Sequence, residues 1–303
     1  MTNIFQPATR RKAKARIALT GVSGSGKTLS ALYIAEGLAG DWRRVAIIDT
    51  EHERARFYAQ RSDLGTGAFL WASLTPPYSP DRYIQLVNEA YRAVGDDGVV
   101  IVDSLSHAWS NEGGVLDIKD RIAARPGMNN YTAWADAGRL QNELINAILA
   151  VPCHTICTLR SKMAYALQED DRGRQRPVKL GLAPVQRDDT EYEFDIVLDI
   201  DRDHIARASK DTTFLDRYGE IITPELGRRL AAWLDEGAEP PVCSYCHKII
   251  TPAAGLSADE IVARSTAKYG APYCVSCGRI IAKQLAGETV PDSEIPPEAL
   301  ADG

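Results

Sequence analysis

Residues Gly21-Val22-Ser23-Gly24-Ser25-Gly26-Lys27-Thr28 fit the spacing G-x-x-x-x-G-K-[ST] without a mismatch. A loop of this kind turns consecutive backbone N–H groups inward around phosphate oxygens, and the start of the following helix adds to the attraction. Lys27 would place its charge between the β- and γ-phosphates, and the Thr28 hydroxyl would face Mg²⁺. ATP and Mg²⁺ are therefore the expected ligands. Asp103 closes the apolar run Val99-Val-Ile-Val102, where a carboxylate can hold the magnesium shell. An aspartate at a strand end is also a common turn residue, so Asp103 gains its meaning from the loop it accompanies.

A second set of reactive residues lies near the other end. Cys243-Ser-Tyr-Cys246 and Cys274-Val-Ser-Cys277 are two CxxC pairs separated by 27 residues. In a chain expected to be cytosolic, two such pairs in one small module point to Zn²⁺ rather than to disulfides or a redox pair. Four thiolates close a tetrahedral structural site and leave no position open for catalysis. His247, next to Cys246, is a competing ligand of lesser merit. Cys153 and Cys157 fall in an apolar run and read as core residues.

The elements that must carry these groups alternate. Strand candidates are Ile17–Thr20, Val45–Asp49, Val99–Asp103 and His154–Leu159, with helical patterns at Thr28–Leu38 and Tyr131–Leu149 between them. Strands separated by helices imply βαβ units, hence an α/β fold with a mostly parallel central sheet flanked by helices. After that the rhythm changes. Glu193–Ile200 and His204–Ser209 read as a hairpin, and Thr223-Pro-Glu opens a helix to about Asp235. Five segments result: a basic arm (1–15), an ATPase core (16–235), a linker (236–242), a cysteine module with a helix near Ser257–Lys268 (243–283), and an acidic tail (284–303).

Composition limits the alternatives. Of 303 residues, 45% are hydrophobic and 25% charged, the proportions of a soluble globular chain rather than a disordered or collagen-like one. Apolar stretches end within a few residues, well short of the roughly 20 a membrane helix needs. With no apolar signal core ahead of the basic cluster, the expected location is the cytoplasm, the bacterial host's if the chain is phage-encoded. Net charge is −6, from 41 acids and 35 bases, which excludes a uniformly basic nucleic-acid coat. The charge is unevenly placed. Residues 10–16 hold five bases, and the last twenty residues hold five acids and no base, an asymmetry frequent in nucleic-acid-handling proteins.

The run Ile47-Ile-Asp-Thr-Glu51-His52 resembles the second conserved strand of the RecA family of recombination ATPases. Within that family the chain is most similar to phage RecA-like ATPases, including those that support single-strand annealing. The residues that carry the likeness are Thr158-Leu-Arg160-Ser-Lys162, Pro184-Val-Gln-Arg187, Glu191-Tyr-Glu-Phe-Asp195 and Ala208-Ser-Lys210, over a span of about 16–235. The resemblance implies a RecA-like core in which Glu51 polarises the attacking water and Tyr58 packs on the nucleotide base. Lys210 matches a family lysine that reaches the neighbouring subunit's γ-phosphate; Arg207, close by, has no such clean counterpart. Arg160 stands where the bacterial recombinase has a γ-phosphate-sensing glutamine.

Two segments follow the strands' C-terminal ends, the functional edge of an open α/β sheet. They are 107–130, with Trp109, Lys119, Arg121, Arg125 and Asn129, and 161–189, with Lys162, Arg172, Arg174, Arg176, Lys179 and Arg187. Both read as irregular. The resemblance implies that they grip single-stranded DNA, bases tracking phosphates and an aromatic stacking on nucleobases. It also implies further copies of the chain in a filament or ring, and single-strand-binding or other replication and recombination proteins as partners. The expected activity is ATP hydrolysis coupled to DNA recombination or annealing. Two other classes stay open on the residues alone: an ATP-switched binding module with little turnover, and a P-loop phosphotransferase.

Overall fold

The computed structural model describes residues 8–169, 175–291 and 295–296, with the backbone alone over 163–182. The chain divides into two units, 13–235 and a second formed by 236–303 with the N-terminal residues up to Lys12.

The larger unit runs β1 (Arg16–Gly21), α1 (Lys27–Ala39), β2 (Val45–Asp49), β3 (Leu70–Ser73), α2 (Pro80–Val94), β4 (Val99–Asp103), α3 (Ser106–Ser110), α4 (Val115–Ala123), α5 (Asn130–Ala150), β5 (His154–Glu169), β6 (Gln175–Pro184), β7 (Ile196–Ile200), β8 (Ile205–Asp211), β9 (Gly219–Ile221) and α6 (Pro224–Asp235). The sheet order is β3-β2-β4-β5-β1-β7-β8-β9, and β6 pairs with β5 off this path. Strands β3 through β7 in that order are parallel, and β8 and β9 are antiparallel.

Strands β2 and β4 are buried along their whole length, as a parallel sheet covered on both faces requires. Side chains alternate between two cores. Ile17, Leu19, Val45, Ile47, Val99 and Ile101 face the layer of α1 and α6. Ala18, Ala46, Ile48, Val100 and Val102 face the layer of α2 and α5. Helices α1 and α6 cross at two glycines: a Cβ on Gly37 would lie 2.1 Å from the Pro224 carbonyl oxygen, and one on Gly227 would lie 2.3 Å from that of Ile34. Cys153 and Cys157 belong to the second core, and burial pushes their thiols up to about 11 and about 12.

Among the described residues, much of the two segments expected to be irregular is helix or strand. Residues 107–130 contain α3 and α4 and lead into α5, whose start is closed by a reciprocal cap between Asn129 and Thr132. Strand β5 does not stop at Leu159; it continues to Glu169 and returns antiparallel as β6. Within its extension, Met163-Ala-Tyr-Ala-Leu167 alternates between larger and smaller side chains, the two-residue period of a strand. The charged residues that follow in the sequence conceal the pattern.

The basic cluster is likewise structural. Arg10 pairs with Glu236 at 2.8 Å and Lys12 with Glu239 at 2.6 Å, while Arg11 pairs with Asp259. Lys14 meets Asp97 at 3.3 Å. Arg16 donates to the carbonyls of Leu149, Val151 and Cys153 at 2.8, 2.6 and 2.5 Å, capping the end of α5. The four bases of the segment 1–15 in this cluster, Arg10, Arg11, Lys12 and Lys14, thus each meet a carboxylate of the chain.

The smaller unit has α7 (Ala258–Tyr269), α8 (Val275–Leu285) and short β-bridges. Ser257 and Glu260 form a reciprocal cap at the start of α7, so the helix expected near 257–268 forms there. No helix among the described residues is long and apolar enough to cross a membrane.

Candidate active site and thiol cluster

Register places the phosphate site. Gly21, the last residue of β1, lies opposite Arg160 of β5, and Asp49 of β2 lies opposite Asp103 of β4. The ends of β1, β2 and β4 and the middle of β5 thus bring the P-loop, Glu51, Asp103 and Arg160 to one edge. Residues Gly21 to Gly26 connect β1 to α1, and Gly26 adopts φ +92° immediately before the helix. A Cβ there would be strained and would sit 3.0 Å from His204 Nδ1. Within the loop, Val22 and Ser23 link Gly21 to Gly24, which has φ +82°.

Lys27 Nζ donates to the carbonyls of Gly21 and Val22, both at 2.9 Å. Burial lowers its pKa, against the opposing pull of Asp103 and Glu51. Thr28 Oγ1 donates to Asp103 Oδ2 at 2.6 Å, and Thr158 Oγ1 donates to the other carboxylate oxygen. Burial raises the Asp103 carboxyl, and these two hydroxyl donors oppose it. A hydroxyl and a carboxylate meeting at the start of α1 form an oxygen donor set suited to Mg²⁺. Ser25 Oγ is buried without a hydrogen-bond partner among the described residues. The residues present thus fit a magnesium-bound nucleoside triphosphate, which would supply the transferable phosphoryl group.

Glu51 is positioned by its neighbours. Asp49 is fully buried and accepts from the Glu51 N–H at 2.7 Å, the Ala55 N–H at 3.0 Å and Trp71 Nε1 at 3.2 Å. The Thr50 N–H donates to the Asp103 carbonyl at 2.7 Å. Glu51 meets Arg160 side-on: Nε donates to Oε1 at 2.7 Å and Nη2 to Oε2 at 2.5 Å. Burial alone would raise the Glu51 carboxyl, but the hydrogen bonds and charge of Arg160 bring it below its ordinary value. Behind this pair, His107 stacks on Tyr78 with ring centroids 5.0 Å apart and contacts the Thr50 hydroxyl through Nδ1. Burial, then the charge of Arg160, pushes His107 down to about 4, so it is neutral at pH 7.

The roles of Thr50, Thr158, His107 and His204 escape a reading of the sequence alone. His204 sits in the β7–β8 turn, with Nδ1 3.0 Å from the Ser25 carbonyl oxygen. Asp201 Oδ1 holds that turn by accepting from the N–H groups of Asp203 and Ile205. No local motif marks such a residue; only the pairing of β7 with β1 brings it to the P-loop.

Other expected residues lie apart from the phosphate loop. Tyr58 packs, partly buried, against the core that contains α1. Arg207 pairs with Asp201 at 2.8 Å, and Lys210 Nζ donates to the Tyr192 carbonyl. Lys162 is exposed and lines a cleft of about 680 Å³ that also receives Trp109, Trp134 and Arg187. Arg172 and Arg174 lie outside the described residues, and Arg176 and Lys179 are described only as backbone of β6.

In the C-terminal unit the ligand atoms of Cys243, Cys246, Cys274 and Cys277 all lie within 4.8 Å of one another. The edge of a ZnS₄ tetrahedron with bonds of about 2.3 Å is about 3.8 Å. The Cys274 N–H donates to Cys243 Sγ at 3.3 Å and the Cys277 N–H to Cys274 Sγ at 3.5 Å. These four residues fit Zn²⁺, and His247 is not among the grouped ligands.

A strand, a glycine loop with its lysine and hydroxyl at a helix start, and a buried carboxylate facing that hydroxyl define a P-loop ATPase domain. Residues 13–221 match the AAA domain family, well over half of the chain, and the protein belongs to that family. A comparison with curated proteins finds no match.

Proposed function

We propose that the protein is a RecA-like ATPase that binds single-stranded DNA and promotes recombination or annealing, in a phage setting, with hydrolysis completed between neighbouring copies. One observation carries the reading: β5 is continuous from Arg160, beside Glu51, into the hairpin that β6 closes. A nucleotide-dependent shift of Arg160 would be passed along one strand to a segment whose sequence holds Lys162, Arg172, Arg174, Arg176 and Lys179.

Aromatic groups near this edge add support. Trp109 and Trp134 approach to 6.1 Å between centroids, and Lys119 Nζ lies 5.3 Å over the Trp134 ring. Trp134, Tyr131 and Tyr192 are exposed. Asp188, Asp189 and Glu193 line the same cleft, so it suits stacked bases better than backbone phosphates. Single-strand-binding and other replication proteins belong to this reading as partners, and the cytoplasm as its location.

The pairing of Glu51 with Arg160 favours a second reading, an ATP-switched DNA-binding module with little turnover, because the proposed base is engaged by an arginine. ATPase rate with and without single-stranded DNA separates the two. Stimulation supports the first; ATP-dependent DNA binding without turnover supports the second; no DNA binding at low salt overturns both.

A further inference from the structure

The C-terminal unit carries a groove that borders the thiol cluster at Cys274 and extends well beyond it. It encloses about 340 Å³ and is lined from α7, α8 and the residues between and before them. Leu256, Ile261 and Val275 make it apolar, with the rings of Tyr269 and Tyr273, which meet edge-on at 6.2 Å. Three exposed cations, Arg264, Lys268 and Arg279, also line it, and no carboxylate does. Lys268 Nζ lies 5.0 Å over the Tyr269 ring. Among the described residues none of the three cations forms an ion pair. An apolar floor with an unneutralised cationic margin complements an acidic peptide that carries apolar side chains.

The chain itself contains such a peptide. Residues 288–303 hold Glu288, Asp292, Glu294, Glu298 and Asp302, no Lys or Arg, and the apolar Val290, Ile295 and Leu300. The segment starts beside the groove, because Ala282, in the last turn of α8, lines it. Leu285, at the end of α8, is 72% exposed and extends the apolar surface toward the acidic residues. Sixteen extended residues span about 50 Å at about 3.3 Å each, whereas α8 is about 16 Å long. Reach is therefore no obstacle to folding back.

We propose that this groove is the docking site of the chain's own acidic segment 288–303, whose carboxylates meet Arg264, Lys268 and Arg279 while its apolar side chains cover the floor. A short flexible tether gives an effective concentration of about 1 mM. A groove binding the free peptide with a Kd of about 0.1 mM would then be about nine-tenths filled in the intact chain. An acidic peptide of another protein would have to displace it.

The test uses the chain ended at Gly287 and a fluorescein-labelled peptide of sequence 288–303, with binding read by anisotropy. The expected result is saturable binding that falls at least ten-fold in R264E/R279E with zinc content unchanged. Exchanging Ile295 and Leu300 of the peptide for Ser should weaken binding at least five-fold, a change that leaves the protein's folding untouched. The intact chain should bind the labelled peptide at least five-fold more weakly than the shortened one. Absence of binding to the shortened chain, equal binding to the intact chain, or indifference to the peptide's apolar residues would each overturn the proposal. None of these readouts depends on ATP or DNA.

Discussion

In residues 13–235 the core is made largely by aliphatic side chains on both faces of a mostly parallel sheet, whereas in the C-terminal unit three of the five buried core residues are clustered thiols, Cys243, Cys246 and Cys277. The first arrangement leaves its functional groups free of structural duty, because the strands are held elsewhere. In the second, Ile250 and Ile261 are the fully buried aliphatic residues beside the thiols, with partly buried side chains such as Leu256, Val262 and Tyr273 packed around them. A substitution in the first unit should therefore change chemistry, and one in the second should change folding.

The largest effect expected from this contrast follows Cys277→Ser. Structural zinc supplies on the order of 10–16 kcal/mol to small domains, far more than two buried isoleucines can. The C-terminal unit should lose its metal and become protease-sensitive while residues 13–235 keep their thermal transition. Metal analysis with limited proteolysis checks this, and retention of a protease-resistant C-terminal unit without zinc would break the comparison.

Within the ATPase unit the effects should be kinetic. Lys210 donates to the Tyr192 carbonyl, and Arg207 pairs with Asp201. If Lys210 acts on a neighbour's γ-phosphate, Lys210→Ala should lower turnover by about 10³-fold or more, the scale of an arginine finger. Mixing it with Lys27→Ala chains should restore part of the rate; no recovery in proven mixed oligomers would refute action in trans. Glu51→Gln should lower turnover by about 10²–10⁴-fold, the range of a general base, with magnesium-nucleotide binding retained in an equilibrium titration.

A smaller, directional effect concerns Arg160. Its hydrogen bonds and charge hold the Glu51 carboxyl low against burial. In Arg160→Ala burial loses its main opponent, so the acidic limb of the ATPase pH profile should move to higher pH. An unmoved limb would mean that Glu51 is not the group that must be ionised.

Much of this division was legible beforehand. The P-loop, Asp103 and the four thiols are set by short spacings, and local chemistry suffices for them. The parallel strands were visible because both faces are covered and their apolar runs are unbroken. What escaped was set by distant pairing. Helix α2 has Tyr83 and Val87 buried one turn apart behind Pro80 at its first position, yet its mean polarity hides it. Strands β3 and β9 are short and largely exposed, so hydropathy gives them no signal. The cluster at 10–16 looked like a nucleic-acid footprint because its partners, Glu236, Glu239, Asp259 and the end of α5, lie far away in sequence.

The smallest effect tests whether the ATPase unit's stability truly rests on its aliphatic core, with acid as the probe. His154 opens β5, is 7% exposed, and its Nδ1 accepts the Ala15 N–H at 3.0 Å, which ties the residue ahead of β1 to the sheet. Burial, then the charges of Lys14 and Arg16, pushes it from 6.5 down to about 3. The folded protein thus keeps the ring neutral at pH values where the unfolded chain protonates it. Between about pH 6.5 and about 3 the unfolded state binds one more proton, so stability rises with pH at about 1.36 kcal/mol per unit for this group. The contribution is complete above about pH 6.5 and is lost as pH falls toward 3; His107, with its value near 4, adds to the same slope over the upper part of that window. Denaturant midpoints for residues 13–235 should accordingly fall from pH 7 to pH 5. His154→Gln, which can still accept from Ala15 but cannot be protonated, should flatten that fall while leaving turnover at pH 7 unchanged. A His154→Gln chain that loses stability toward pH 5 as steeply as the native one would show that the acid sensitivity lies elsewhere.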